Sequence, residues 1–212
     1  MKKRSLKSHS AKLSPPSKLS EAVMSGNLAE ITRLVQAGVS VNERKQDGFT
    51  PLMLAASRGN MKITEYLIGQ GADLNLRNDI GQTALLIAAA GGHKSVIEQL
   101  VVAGADVKAV DDSKRNAIAW AASRGDFPEV ISALGVLGAD YDGRDVQGLT
   151  PLMRAALLGH AESVAILLTL GADENVKVQG KSAYDMASER RNAEVCNTMK
   201  AILANRPKGH HI

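Results

Sequence analysis

Between Leu52 and Leu67 the apolar residues form two runs at helical spacing, Leu52, Ala55 and Ala56 and then Ile63, Tyr66 and Leu67, divided by the polar stretch Ser57-Arg58-Gly59-Asn60. Steps of three and four residues put each run on one face of a helix, so the stretch predicts two short helices packed on each other through their apolar stripes. The same order returns in Leu85, Ala88 and Ala89 followed by Val96 and Leu100, and in Leu152, Ala155 and Ala156 followed by Val164 and Leu167. A Gly-Ala-Asp triplet closes each pair at Gly71, Gly104, Gly138 and Gly171, and Gly38-Val39-Ser40 is a degenerate first instance, so the steps are 33, 33, 34 and 33 residues. A fixed period of this length predicts a quasi-one-dimensional stack of repeated units.

The punctuation agrees with the pattern. Thr50 places a hydroxyl where free backbone N–H groups open a helix, and Pro51 suits the first turn, where its missing N–H is not needed. Gly71 stands where the chain leaves the second helix through a left-handed conformation. Units are expected at about 19–44, 45–77, 78–110, 111–144, 145–176 and 177–204. The first lacks a turn and keeps only Ile31, Leu34 and Val35 as the stripe of its second helix; the last carries Glu189, Arg190 and Arg191 where others are small. Both suit caps that face water. The fourth unit departs most: Lys114 replaces the turn glycine, Asn116 the threonine and Ala117 the proline, and one residue is added near Phe127-Pro128. It reads either as drift or as a bend or contact point.

Composition changes the picture in three ways. Only 3% of the chain is aromatic, so the core must be built from Leu, Ile, Val and Ala. The formal charge of +4 is local: Lys2, Lys3, Arg4, Lys7, Lys12 and Lys18 lie in residues 1–18 with no acid, and removing those six leaves 20 basic against 22 acidic residues. Residues 1–18, ending near Pro15-Pro16, are expected to be a disordered basic arm, either a solubilising leader or an electrostatic anchor for nucleic acid or an acidic membrane. Residues 205–212, with His210 and His211, read as a frayed tail. The lone Cys196 rules out an internal disulfide and suits a reducing compartment. With no secretory or membrane-spanning run, a cytoplasmic location is expected.

The period, the Thr-Pro-Leu opening at Thr50 and Thr150, the paired alanines and the closing triplet together resemble the ankyrin repeat across roughly residues 19–204. The resemblance implies an all-α solenoid of about six helix-turn-helix units with β-turn tips. It also implies a non-enzymatic scaffold that binds a protein partner on a concave face made of the turn tips and the exposed side of each first helix. Carried over by position, the protein-binding residues are Phe49 and Arg58 in the second unit, Ile80 and Gln82 in the third, Arg115 and Arg124 in the fourth, and Leu149, Leu157 and Leu158 in the fifth, and Trp120, the one tryptophan, joins them beside the two fourth-unit arginines. The apolar members are read as solvent-facing, and Gln82 as a turn-tip residue whose loss is nearly neutral. Trp120 is either packing or a binding anchor. The family's histidine after Thr-Pro-Leu is replaced by Met53, Leu86, Ala119 and Met153, so that inter-repeat polar stitching is expected to give way to apolar packing.

Chemistry is otherwise thin. His93 and His160 follow the mid-repeat glycine and read as structural, with no third ligand spaced to join them. Asp73, Asp106, Asp140 and Asp173 recur once per unit at equivalent turns, which is a structural pattern rather than a carboxylate pair. No phosphate-cradling glycine motif is present, and no nucleophile, base and orienting group can be assembled. Neither an enzyme, a cofactor nor a metal is expected, and the chain is expected to be a monomer.

Overall fold

The computed structural model describes residues 18–205, so nearly all of the basic arm and of the C-terminal tail lies outside the described residues. The α-helices come in pairs: α1 (Lys18–Ser25) with α2 (Leu28–Gln36), α3 (Pro51–Ser57) with α4 (Met61–Gly69), α5 (Ala84–Ala90) with α6 (Lys94–Val102), α7 (Ala117–Arg124) with α8 (Pro128–Val136), α9 (Pro151–Leu158) with α10 (Ala161–Leu170), and α11 (Ala183–Glu189) with α12 (Ala193–Ala204). The first helices stack in one row, α1 on α3 through α9 on α11, and the second helices α4 to α12 stack in another. The core lies between the rows. Leu52, Leu85, Ile118 and Leu152 fill it from the first helices, and Ile63, Val96, Val130 and Val164 from the second.

From α3 onward each first helix opens on a side-chain cap. Thr50, Thr83 and Thr150 accept hydrogen bonds from Met53, Leu86 and Met153 N–H, and Asn116 does the same for Ala119 N–H at 2.8 Å. Ser182 and Asp185 form a reciprocal capping box on α11. At the far end of α4, Gly71 has φ +81°, which lets Ala72 N–H return to Leu67 O at 3.0 Å. The connections between pairs project as β-turns joined edge to edge: Asp79 N–H donates to Asp47 O, Asp112 N–H to Ile80 O and Val146 N–H to Ser113 O, at 2.9 to 3.2 Å.

Met53, Leu86, Ala119 and Met153 are buried, so apolar packing does occupy the position of the missing histidine. Polar stitching nevertheless persists elsewhere. At the start of the second helices, His93 Nε2 donates to Ser57 O at 3.1 Å, His160 Nδ1 to Ala122 O at 2.9 Å and Asn192 Nδ2 to Ala156 O at 2.8 Å. A ring nitrogen facing a carbonyl carries the proton, so both histidines tie one unit to the next.

The extra residue of the fourth unit is Asp126. Gly125 is extended, Phe127 precedes α8 and Pro128 takes its first turn. Phe127 stands where the third unit has His93, and its ring lies so close to Gly92 that a Cβ there would sit 2.8 Å from it. The Asp126 carboxylate reaches forward to accept from Ser163 N–H and Oγ–H, both at 2.6 Å, and from Glu162 N–H at 3.1 Å, holding the first turn of α10. Ser163 is fully buried where Ile63, Val96, Val130 and Val195 stand in the other units. The irregularity is therefore a packed junction.

Candidate functional site

The face made of the turn tips and the exposed ends of the first helices is built, in the third, fourth and fifth units, on an aspartate or asparagine at the base of the turn. Asn78, Asp111 and Asp145 each use Oδ1 to accept two backbone N–H groups of their own turn, from residues two and four further on. The second oxygen of each aspartate is then free for a guanidinium. Asp111 Oδ2 takes Arg115 Nε at 2.9 Å and Trp120 Nε1 at 3.2 Å, and Asp145 Oδ2 takes Arg154 Nε at 2.7 Å and its Nη2. These carboxylates are buried, at 1% and 0% side-chain exposure, and both oxygens of each are met by donors, which offsets the cost of their burial.

The fourth unit gathers three of the expected binding residues into one cluster. The Arg115 guanidinium lies 3.8 Å from the centroid of the Trp120 ring and that of Arg124 lies 5.2 Å from it, both in cation–π range. Trp120 itself is a correction to the anchor reading. It is 3% exposed with its indole N–H already engaged, so it is the platform on which Arg115 and Arg124 rest and cannot insert into a partner.

Gln82 is corrected as well. It is 7% exposed, and its Oε1 accepts from Asn78 Nδ2 at 3.0 Å, so it closes the turn base and its loss strands a buried amide. Phe49, Leu149 and Leu157 are half-buried against the core and not fully solvent-facing. Ile80 and Leu158 are open to solvent at 54% and 52%, and Arg58 and Arg124 are exposed. Arg58 Nε approaches Met24 Sδ at 3.4 Å. Arg124 and Leu158 occupy the same position in neighbouring units, as do Arg115 and Leu149, so charge and apolar surface meet along the junction of the fourth and fifth units.

Val146, a turn-tip position of the fifth unit that carries over to the same face, is 62% exposed. A second surface was not read from the sequence. On the opposite side Val102 and Val136, equivalent residues of α6 and α8, are 87% and 84% exposed. Spacing could have found the second pair, since both fall outside the buried stripe of their helices.

On the loops behind the turns, Asp142 is held above the ordinary aspartate value of 3.8, chiefly because burial strips water from it, with Asp173 and Asp140 adding like charge. Asp185 is held low by the hydrogen bonds from Ser182. Among the described residues no group of three or more His, Cys, Asp or Glu side chains is disposed to hold a metal, and no helix is long and apolar enough to cross a membrane.

No curated protein is significantly similar to the chain. A family model for ankyrin repeats matches it in three overlapping copies, over residues 19–111, 88–178 and 118–205. That span takes in every helix after the first residue of α1 and agrees with the paired helices, turn-tip bonding and period of the stack. The chain belongs to the ankyrin-repeat family, whose members are in general protein–protein interaction modules.

Proposed function

We propose that this chain is a non-catalytic scaffold that captures a protein partner on its turn-and-first-helix face, centred on the fourth and fifth units. The observation that carries this reading is the exposure of Ile80, Val146 and Leu158 on this face of the third and fifth units, with the Arg115–Trp120–Arg124 stack on the fourth unit between them. Apolar side chains at such exposure are a liability unless covered, and guanidiniums held on an aromatic platform suit the rim of an interface. The stack is preformed, so ordering it on binding removes little affinity. Phe49 and Arg58 extend the face toward the N-terminal units.

Serine at Ile80, Val146 and Leu158 together tests this directly. Each side chain is exposed, so the helical signal should be retained, with each site contributing within about 0.5 kcal/mol to stability. Capture of the partner from native lysate should weaken at least about tenfold, some 1.4 kcal/mol. Undiminished capture by the folded triple variant would sink the reading and move the interface to the Val102–Val136 side or to the basic arm.

A further inference from the structure

A ladder of side chains runs along the loops behind the turns. Asn42, Asn75 and Asp142 each use Oδ1 to accept the backbone N–H of the Gly-Ala-Asp aspartate of the next unit, Asp73, Asp106 and Asp173, at 2.8 to 3.1 Å. One rung is missing. The equivalent residue in the third unit is Lys108, which has no acceptor to offer, and the N–H of Asp140 in the fourth meets no acceptor among the described residues. By the geometry of the other three rungs that N–H points toward Lys108, and both residues line a recess of about 390 Å³.

The other walls of the recess are as unusual. Lys114 lines it and holds φ +60°, a left-handed conformation that Gly48, Gly81 and Gly148 take at this turn position in other units. A lysine held there is strained, and such strain concentrates at functional positions. Arg144 lines the far side. Lys108, Lys114 and Arg144 take no part in the salt bridges of the described residues. The one carboxylate in the wall, Asp140, turns its Oδ1 to Asp142 N–H at 2.9 Å, and Asn116 Nδ2 braces the loop by donating to Asp140 O. Three cations and a backbone donor thus line the recess with one carboxylate, and Asp142 lies within electrostatic reach of Arg144.

We propose that the recess between the third and fourth units binds a phosphate-type dianion, with Asp140 N–H, Lys108, Lys114 and Arg144 as its donors. A phosphoryl group brings close to two negative charges and three strong acceptor oxygens, enough to meet separated cations and the N–H together, whereas a carboxylate brings one charge and two oxygens. The group is either free phosphate or a phosphorylated side chain of a partner. This site is independent of the turn-and-first-helix face, and its failure would leave that reading intact.

The test is a titration of the 15N-labelled full chain with inorganic phosphate, followed by amide chemical shifts against potassium chloride of equal ionic strength. The Asp140 amide should shift saturably with phosphate and not with chloride, and acetate should bind at least tenfold more weakly. Lys108→Asn rebuilds the missing rung, so it should fold as well as the parent while losing phosphate affinity at least tenfold. Lys62→Asn removes an equal charge from α4 and should bind as the parent does. O-phosphoserine binding tenfold tighter than inorganic phosphate would assign a phosphorylated partner, and equal or weaker binding would assign free phosphate. No saturable shift at Asp140, acetate binding as tightly as phosphate, or undiminished binding by Lys108→Asn would overturn the proposal.

Discussion

The second and third units and the fourth and fifth units solve the same joining problem with different residues. Between the second and third, threonines cap the first helices, glycines take the left-handed turn positions, and asparagines bridge to the next loop. In the fourth, Asn116 caps, Lys114 takes the turn, Phe127 stands in for the joining histidine, and the added Asp126 holds the neighbouring helix. The difference teaches which demands belong to the backbone. A helix start needs an oxygen and accepts it from threonine or asparagine; a left-handed turn needs glycine or tolerates strain; a buried N–H needs some acceptor. Among the positions that bridge one closing loop to the next, Lys108 alone offers no acceptor.

The largest effect should show whether the two junctions share one kind of core. Leu85→Ala and Ile118→Ala remove equivalent, fully buried side chains, and each should lower unfolding free energy by about 2–5 kcal/mol in urea denaturation. A much smaller loss for Ile118→Ala would mean that the fourth unit is loosely packed, against the burial seen here.

The Asp126 junction comes next. Asp126→Ala should cost about 1–3 kcal/mol, since it leaves the buried Ser163 hydroxyl and two N–H groups unpaired. Ser163→Val restores the apolar type of the other units and should recover part of that loss only when Asp126 is already alanine. A double-mutant cycle should therefore show coupling of about 0.5–3 kcal/mol, and additive losses would show that the two residues do not act as a pair.

Lys114→Gly relieves a left-handed non-glycine residue and should raise stability by about 0.5–1 kcal/mol, after the added freedom of the unfolded chain is set against the relief. A loss of stability would show that the lysine makes contacts that outweigh its strain.

Asp142→Asn should have the smallest effect, a gain within about 0.5 kcal/mol at neutral pH, because Asn42 and Asn75 do the same bridging without charge. Asp142 is held above 3.8, so the native state binds its proton more readily than the unfolded chain. The group's contribution to stability is thus fullest in acid and falls as pH rises through the raised value. The advantage of the variant should accordingly shrink as pH is lowered through that range in thermal melts, and an advantage that grows in acid would reverse the assignment.

Much of the architecture was legible before any coordinates. Leu52, Ala55 and Ala56, and Ile63 and Leu67, are buried as their spacing predicts, because an apolar face at helical period has no stable place except against another such face. Cap and turn residues were legible for the same local reason. Misread positions share one cause. Gln82 lies at a position that faces solvent by repeat register, whereas Trp120 takes that of the buried Leu54 and Ile87, where packing is one of its two readings; Asp111 and Asn78 bend their turns so that an indole N–H and a side-chain amide find partners beneath them. Such bonds join residues four to nine apart through the bend of a loop, which no periodicity reports.

The sequence by itself determined the repeat, the pairing of helices and the family, since these rest on spacing and on backbone conformations that only a few residue types satisfy. Tertiary structure decided what each departure from the repeat is for. Asp126 meets Ser163, Phe127 covers Gly92, and Lys108 fails to meet Asp140 only once neighbouring units are stacked, because their partners lie more than thirty residues away along the chain. Burial and partnership are properties of the stack, and a single unit does not possess them.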